Sequence, residues 1–199
     1  LTLSRMIFVY CKTVSEYVHQ TNILQKLRAV TSLCKSRQTI LDPALGRGAT
    51  NKEKTMPMLI ITGQIKGKAS GLIDLYVYNL CKELGINRMH RKLIELNFVT
   101  DLEGLIGDAW VDEKEGFAQI NIARKCEDEK LDYADMMETL AHEMVHVKQF
   151  FRKELDVSSA NSVWKWKGRN AGGYKYENQP WELEAYRRQA DLYQKCWPL

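Results

Sequence analysis

Between residues 117 and 123 the chain alternates. Ala118, Ile120 and Ile122 stand against Phe117, Gln119 and Asn121, the period of a half-buried strand. Ten residues further on the period changes. Tyr133, Met137, Leu140, Met144, Val147 and Phe151 recur in steps of four and three, the spacing of one helical face. Asp132 is placed as the N-cap of this helix, with Asp135 three residues on, and neither Gly nor Pro interrupts the run. Upstream, residues 58–65 read as a strand, 72–84 as a helix closed by Gly85, and 92–99 and 108–112 as two further strands. Downstream, residues 163–167 and 174–176 flank a Gly-rich turn and read as a β-hairpin. A last helix starts near Pro180, a favoured first helical position, and runs to about Cys196. The pattern predicts an α+β fold, a small mixed sheet covered by helices.

The first 55 residues do not share this regularity. They hold one helix-like stretch, then Asp42-Pro43, Gly46-Arg47-Gly48 and a charged linker, and they have little to pack into a core. The expectation is a basic, flexible N-terminal extension over residues 1–55, or translated sequence upstream of the natural start at Met56. A small helical pro-segment or partner-binding arm is the alternative. Residues 56–199 form the folded domain in this reading.

Composition changes the picture in two places. Of 199 residues, 45% are hydrophobic and 27% charged, as in ordinary globular domains. The net charge of +4 points to an acidic partner only until it is located. Residues 1–55 carry nine Lys or Arg and three acids, and the remainder 20 against 22, so a nucleic-acid footprint on the domain has no support in bulk charge. The five cysteines are scattered and form no CxxC pair, which argues against a disulfide framework and for a reducing, cytoplasmic setting. No apolar run is long enough to cross a bilayer, and residues 6–11 are too short for a signal-peptide core.

The chemistry lies in the helix with the long period. His142-Glu143-Met144-Val145-His146 spells HExxH. Residues four apart share a helical face, so two imidazoles can grip one metal ion. Zinc is the metal that imidazole and carboxylate most often hold in a four-coordinate site, and the intervening Glu143 can act as general base on a zinc-bound water. The histidines fall off the main apolar stripe, which places them toward a cleft.

A catalytic zinc takes three protein ligands and keeps one position for water. Gln149 and Arg152 occupy the places where a metzincin would carry Gly and a third His. His19 and His90 both precede the helix. The last helix offers Glu182 and Glu184. On a helical wheel Glu182 lies among Trp181, Ala185, Tyr186, Leu192, Tyr193 and Cys196, whereas Glu184 lies opposite, with Arg187, Arg188 and Asp191. A carboxylate amid an apolar face needs a partner, either a zinc ion on the neighbouring helix or an Arg or Lys.

HEMVH followed by Glu182-Leu-Glu-Ala185 resembles the HExxH…ExxA pattern of gluzincin-type zinc metallopeptidases. Residues 56–199 are similar in size and element order to small phage-encoded SprT-like and ImmA/IrrE-like metallopeptidases, and the stretch GYKYENQPWELEAY looks like marine-phage members. The resemblance implies a compact zincin-like domain with an active-site helix and a C-terminal glutamate helix. It implies Glu182 as third zinc ligand beside His142 and His146, a metalloendopeptidase acting on protein or peptide, and a host cytoplasm where phage-encoded. Several gluzincins continue ExxAD or ExxSD, the acid orienting a zinc-bound histidine. Tyr186 stands there instead, which leaves the partner of the ligand histidines unidentified.

The expected reaction is peptide-bond hydrolysis. Glu143 takes a proton from water and passes it to the leaving amine, and zinc polarises the carbonyl. Strand Phe117–Ala123 is expected to be an edge that receives substrate by β-addition, and Tyr174, Tyr176 or Arg169 to supply an oxyanion donor. Two rival readings stand beside this one. In the first, the Trp164–Tyr176 hairpin interleaves bases and aromatics and makes weak single-stranded nucleic acid contact in a regulatory protein. Its plainer reading is a ribbon with aromatics packed on one face and lysines in water. The second rival is a metal-binding but inactive scaffold.

Overall fold

The computed structural model describes residues 57–63, 70–112, 115–158 and 163–198. Residues 1–55 lie outside them, and with them His19, Cys11 and Cys34. The alternating segments pair into a four-stranded mixed sheet made from β1 (Met58–Thr62), β2 (Leu93–Val99), β3 (Gly107–Asp112) and β4 (Phe117–Ala123), in the order β1-β2-β4-β3. β1–β2 and β2–β4 are parallel, and β3 pairs antiparallel with β4. Helix α1 (Ser70–Glu83) makes the crossover from β1 to β2. It closes at Gly85, whose φ of +67° sets the left-handed turn read from the sequence. A short hairpin of β5 (Lys125–Cys126) and β6 (Glu129–Lys130) leads into α2 (Tyr133–Phe151). The chain ends in α3 (Pro180–Cys196). The fold is α+β, as the pattern predicts.

The period-two residues explain the layering. Ile94, Leu96, Phe98, Ala118, Ile120 and Ile122 are buried against the helices, in one core with Leu140, Met144 and Leu80. On the opposite face a row of polar side chains crosses all four strands in register: Thr62, Asn97, Asn121 and Asp108. Thr62 donates to Asn97 Oδ1, Asn97 Nδ2 to Asn121 Oδ1 at 3.0 Å, and Asn121 Nδ2 to Asp108 Oδ1 at 2.6 Å.

Two expectations are corrected. Phe117–Ala123 is not an edge. β4 lies between β2 and β3, and β3 is the outer strand. Alternation marks one buried face and says nothing about strand neighbours; here the second face uses its amides between strands. The expected hairpin is also different. β8 (Val163–Trp166) pairs with β7 (Leu155–Ser158) before it and with the two-residue β9 (Arg169–Asn170) after it. The tight turn is Lys167-Gly168, with φ of 49° and 79°, so both central residues are left-handed as a type I′ hairpin turn requires. Tyr174 belongs to no strand, and Tyr176–Asn178 is a single 3-10 turn. The aromatics of β8 pack inward: Trp164 stacks on Trp181 with ring centres 5.4 Å apart, while Lys165 and Lys167 are exposed.

Helix α2 is the central element, set against β3 and β4 on one side and α3 on the other. It begins as predicted at Asp132, whose carboxylate accepts from the Asp135 amide at 2.7 Å. Replacing Asp132 with Ala leaves that amide without its partner and should lower stability by about 1 kcal/mol. Urea unfolding checks this, and a midpoint equal to wild type would remove the cap from the account.

Candidate metal centre

The expected amphipathic helix is in fact buried nearly all round, because it runs between sheet and helix. Within it His142 and Glu143 are fully buried and His146 is 4% exposed. The histidines do lie off the sheet-facing stripe. They point at α3 rather than into an open cleft, and Glu182, 1% exposed, comes from α3 to meet them. The two imidazole Nε2 atoms are 3.1 Å apart, and each lies 3.5 Å from a carboxylate oxygen of Glu182. These are the residues His142, His146 and Glu182 that the sequence singles out, gathered within 4.8 Å.

The separations test the fit to a metal. A tetrahedron whose corners lie about 2.0–2.1 Å from its centre, the usual zinc distances, has edges of about 3.3 Å. The Nε2–Nε2 separation and the distance from each Nε2 to its nearer Glu182 oxygen, Oε2 for His142 and Oε1 for His146, lie close to that edge. Glu143 supplies a second observation. Both its carboxylate oxygens are buried without a hydrogen-bond partner among the described residues. Burial pushes its carboxyl up to about 8; His146 opposes the shift, and Asp108 and Glu182 add to it. A buried carboxylate with neither oxygen satisfied is costly unless it is protonated or gains a partner. The donors fit a divalent cation held by His142 Nε2, His146 Nε2 and Glu182.

Without an ion, a proton fills the same electrostatic role. Burial would raise the Glu182 carboxyl, but its contacts with His142 and His146 outweigh this and bring it to about 2. Burial would likewise lower His146, but Glu182 outweighs this and brings it to about 9. His142 is lowered, chiefly by burial.

The surroundings answer questions the sequence leaves open. Tyr176 Oη donates to Glu182 Oε2 at 2.9 Å, so it alone of the three expected oxyanion donors reaches the site. Tyr174 is 53% exposed and Arg169 is exposed. Tyr186 sets its ring edge to face with His142, centres 4.7 Å apart. His90 is exposed beside the Arg88 carbonyl.

Glu184, opposite Glu182 on the helical wheel, is held by ion pairs rather than left to solvent. Its carboxylate accepts from Lys148 Nζ at 2.8 Å, Gln149 Nε2 at 3.3 Å and Arg188 Nη1 at 3.4 Å. The cause is Lys148, a 7%-exposed cation on α2 that requires acids around it. The ion-pair alternative raised for Glu182 is thus realised by its neighbour.

The histidines' partners are two glutamines that the sequence reading did not assign. His142 Nδ1 lies 2.7 Å from Gln189 Oε1, and His146 Nδ1 lies 2.9 Å from Gln149 Oε1. Spacing carries the signal: Gln149 follows His146 by three residues, and Gln189 follows Glu182 by seven, each on the same helical face as the ligand. The chain matches no protein-family profile, no curated protein and no solved structure.

The raised Glu143 carboxyl sets a pH dependence for the metal-free protein. Its folded pKa of about 8 lies above the ordinary 4.5, so the fold favours the protonated form. Stability from this group is present below pH 4.5 and is lost as pH rises to about 8. Glu143→Gln removes the ionisation and should stabilise the metal-free protein at pH 8 by about 2–5 kcal/mol. At pH 4.5 it should be close to neutral. Urea unfolding at the two pH values reads the difference, and an equal gain at both would contradict it.

Proposed function

We propose that this protein is a zinc-dependent metallopeptidase that hydrolyses internal peptide bonds. One observation carries the reading: the donor atoms of His142, His146 and Glu182 converge, buried, within 4.8 Å of one another. The carboxylate of Glu143 is close enough for the charges of His146 and Glu182 to act on it. Two imidazoles and one carboxylate leave a fourth position open, the arrangement of catalytic rather than structural zinc. When bound, the ion supplies Lewis acidity to water and to the scissile carbonyl.

The remaining roles fall to this chain's own residues. Glu143 accepts the proton of the attacking water and returns it to the leaving amine. Burial raises its carboxyl in the metal-free site, and a bound cation would lower it again toward the ionised form that a base requires. Tyr176 Oη, which donates to Glu182 Oε2, would serve the developing oxyanion by turning its one hydrogen from Glu182 to it. The substrate lies along the outer side of β3 rather than β4. A Cβ built on Gly107 at the start of β3 would stand 3.0 Å from Glu143 Oε1, so this strand passes directly beside the base. An extended peptide added to β3 by main-chain hydrogen bonds would bring its carbonyls there. Trp164 stacks on Trp181 within the protein, which favours a peptide over a single-stranded nucleic acid as the partner.

Metal analysis and a peptidase assay test the proposal together. Wild type and Glu184→Ala should each carry one zinc per chain, and Glu182→Ala should lose it. Glu143→Gln should keep the metal and lose about 10²- to 10⁴-fold in kcat. Loss of zinc from Glu184→Ala but not Glu182→Ala would overturn the ligand set. Full activity in Glu143→Gln would overturn the mechanism.

A further inference from the structure

The two glutamines beside the histidines have amide orientations that the structure determines. Gln149 Nε2 lies 3.0 Å from the Trp181 carbonyl oxygen, which can only accept, so the Gln149 amide must donate there. Its Oε1 therefore faces His146 and must accept from Nδ1–H. Gln189 repeats the logic. Its Nε2 donates to Glu138 Oε1 at 2.8 Å, so its Oε1 accepts from His142 Nδ1–H at 2.7 Å. Each histidine is thus protonated on Nδ1. In the neutral ring Nε2 then carries the lone pair, and the two Nε2 atoms are those that face Glu182.

We propose that Gln149 and Gln189 are positioning residues that fix both histidines in the Nδ1–H form, aim both Nε2 lone pairs at the metal position, and hold the helix bearing the third ligand. The last role follows from their partners. Gln189 reaches from α3 to Glu138 and His142, one turn apart on α2, and Gln149 reaches from α2 to the first turn of α3, beside Glu182. The pair fills the place left by Tyr186, where the resembling pattern carries an acid. An amide orients the ring without adding a negative charge next to it. The ligand set then keeps a single formal charge, that of Glu182, and the ion keeps more of its own.

This inference rests on the metal-centre reading, yet part of it is readable without metal. In the metal-free protein His142 should show a protonated Nδ1 and an unprotonated Nε2 by long-range ¹H–¹⁵N NMR. Gln189→Leu removes the acceptor, and His142 should turn to the Nε2–H form, donating to Glu182. Chelator competition with Zn²⁺ should then give a Kd about 10- to 100-fold weaker for Gln189→Leu and for Gln149→Leu. Gln189→Glu alone sets two carboxylates against each other. Combined with Glu138→Gln it restores an acceptor for His142 and a donor between the two side chains, and should recover most of the affinity. An unchanged His142 tautomer in Gln189→Leu, or failure of the double variant to recover binding while folded by circular dichroism, overturns the proposal. If wild type binds no Zn²⁺, the metal-centre reading fails, and the tautomer measurement alone decides the role of Gln189. If Gln189→Leu does not fold, the double variant still decides.

Discussion

A carboxylate and two imidazoles buried together are stable only if a positive charge sits among them. At separations of 3.1–3.5 Å, three acceptors facing one another in a dry interior repel, and none can turn to water. The rest of the molecule is arranged around that requirement. α2 is enclosed by sheet and helix, which excludes solvent. α3 brings the third acceptor, and Tyr176 satisfies one of its oxygens. Nearby, Lys148 is balanced by Glu154 and Glu184, so its charge does not stand unopposed next to the site. A proton meets the requirement in sign, a divalent cation would do so equally, and the two would compete for the same place.

Enclosure of this kind has a structural basis in how little of α2 is left for solvent. A helix at a domain surface shows a polar stripe, and this one shows almost none. Its polar residues instead point at specific partners, Thr139 at the Asp135 carbonyl and Gln149 at Trp181, and Tyr76 of α1 donates to its Met137 carbonyl. Glu143 is the exception, with neither oxygen engaged among the described residues. An unsatisfied group at the centre of an otherwise satisfied helix is where stability has been given up, and such sites are where reactive groups are found.

Much of this was legible in the sequence, and the reasons are local. The bounds of α2 and α3 followed from period, cap and Pro180, which act within a few residues. The choice of Glu182 over Glu184 followed from its place on an apolar face. What failed was non-local. Strand neighbours depend on β2 pairing with β4 past the intervening strand β3, and no periodicity reports that. The Lys167-Gly168 turn was overlooked because Gly172-Gly173 is the louder signal, although Lys accepts a left-handed φ here. Glu184 was misjudged because its partner, Lys148, lies on another helix. Gln149 and Gln189 carried a spacing signal, but an uncharged amide stands out only once its neighbours are known.

The polar row across the outer face of the sheet has a consequence for the site on the other face. Parallel strands buried against helices tolerate sliding poorly in principle, yet apolar side chains alone distinguish one register from another only by shape. Thr62, Asn97, Asn121 and Asp108 do so by donors and acceptors that meet at one offset. A slip of two residues in any strand would preserve the inward apolar face but break the row. Because Asp108 is its last member, the row also fixes where Gly107 lies, and the missing side chain of Gly107 leaves room for Thr139 and, beside it, Glu143. The sheet therefore works as a ruler, with its zero mark on β1 and its reading taken beside the buried Glu143 carboxylate three strands away.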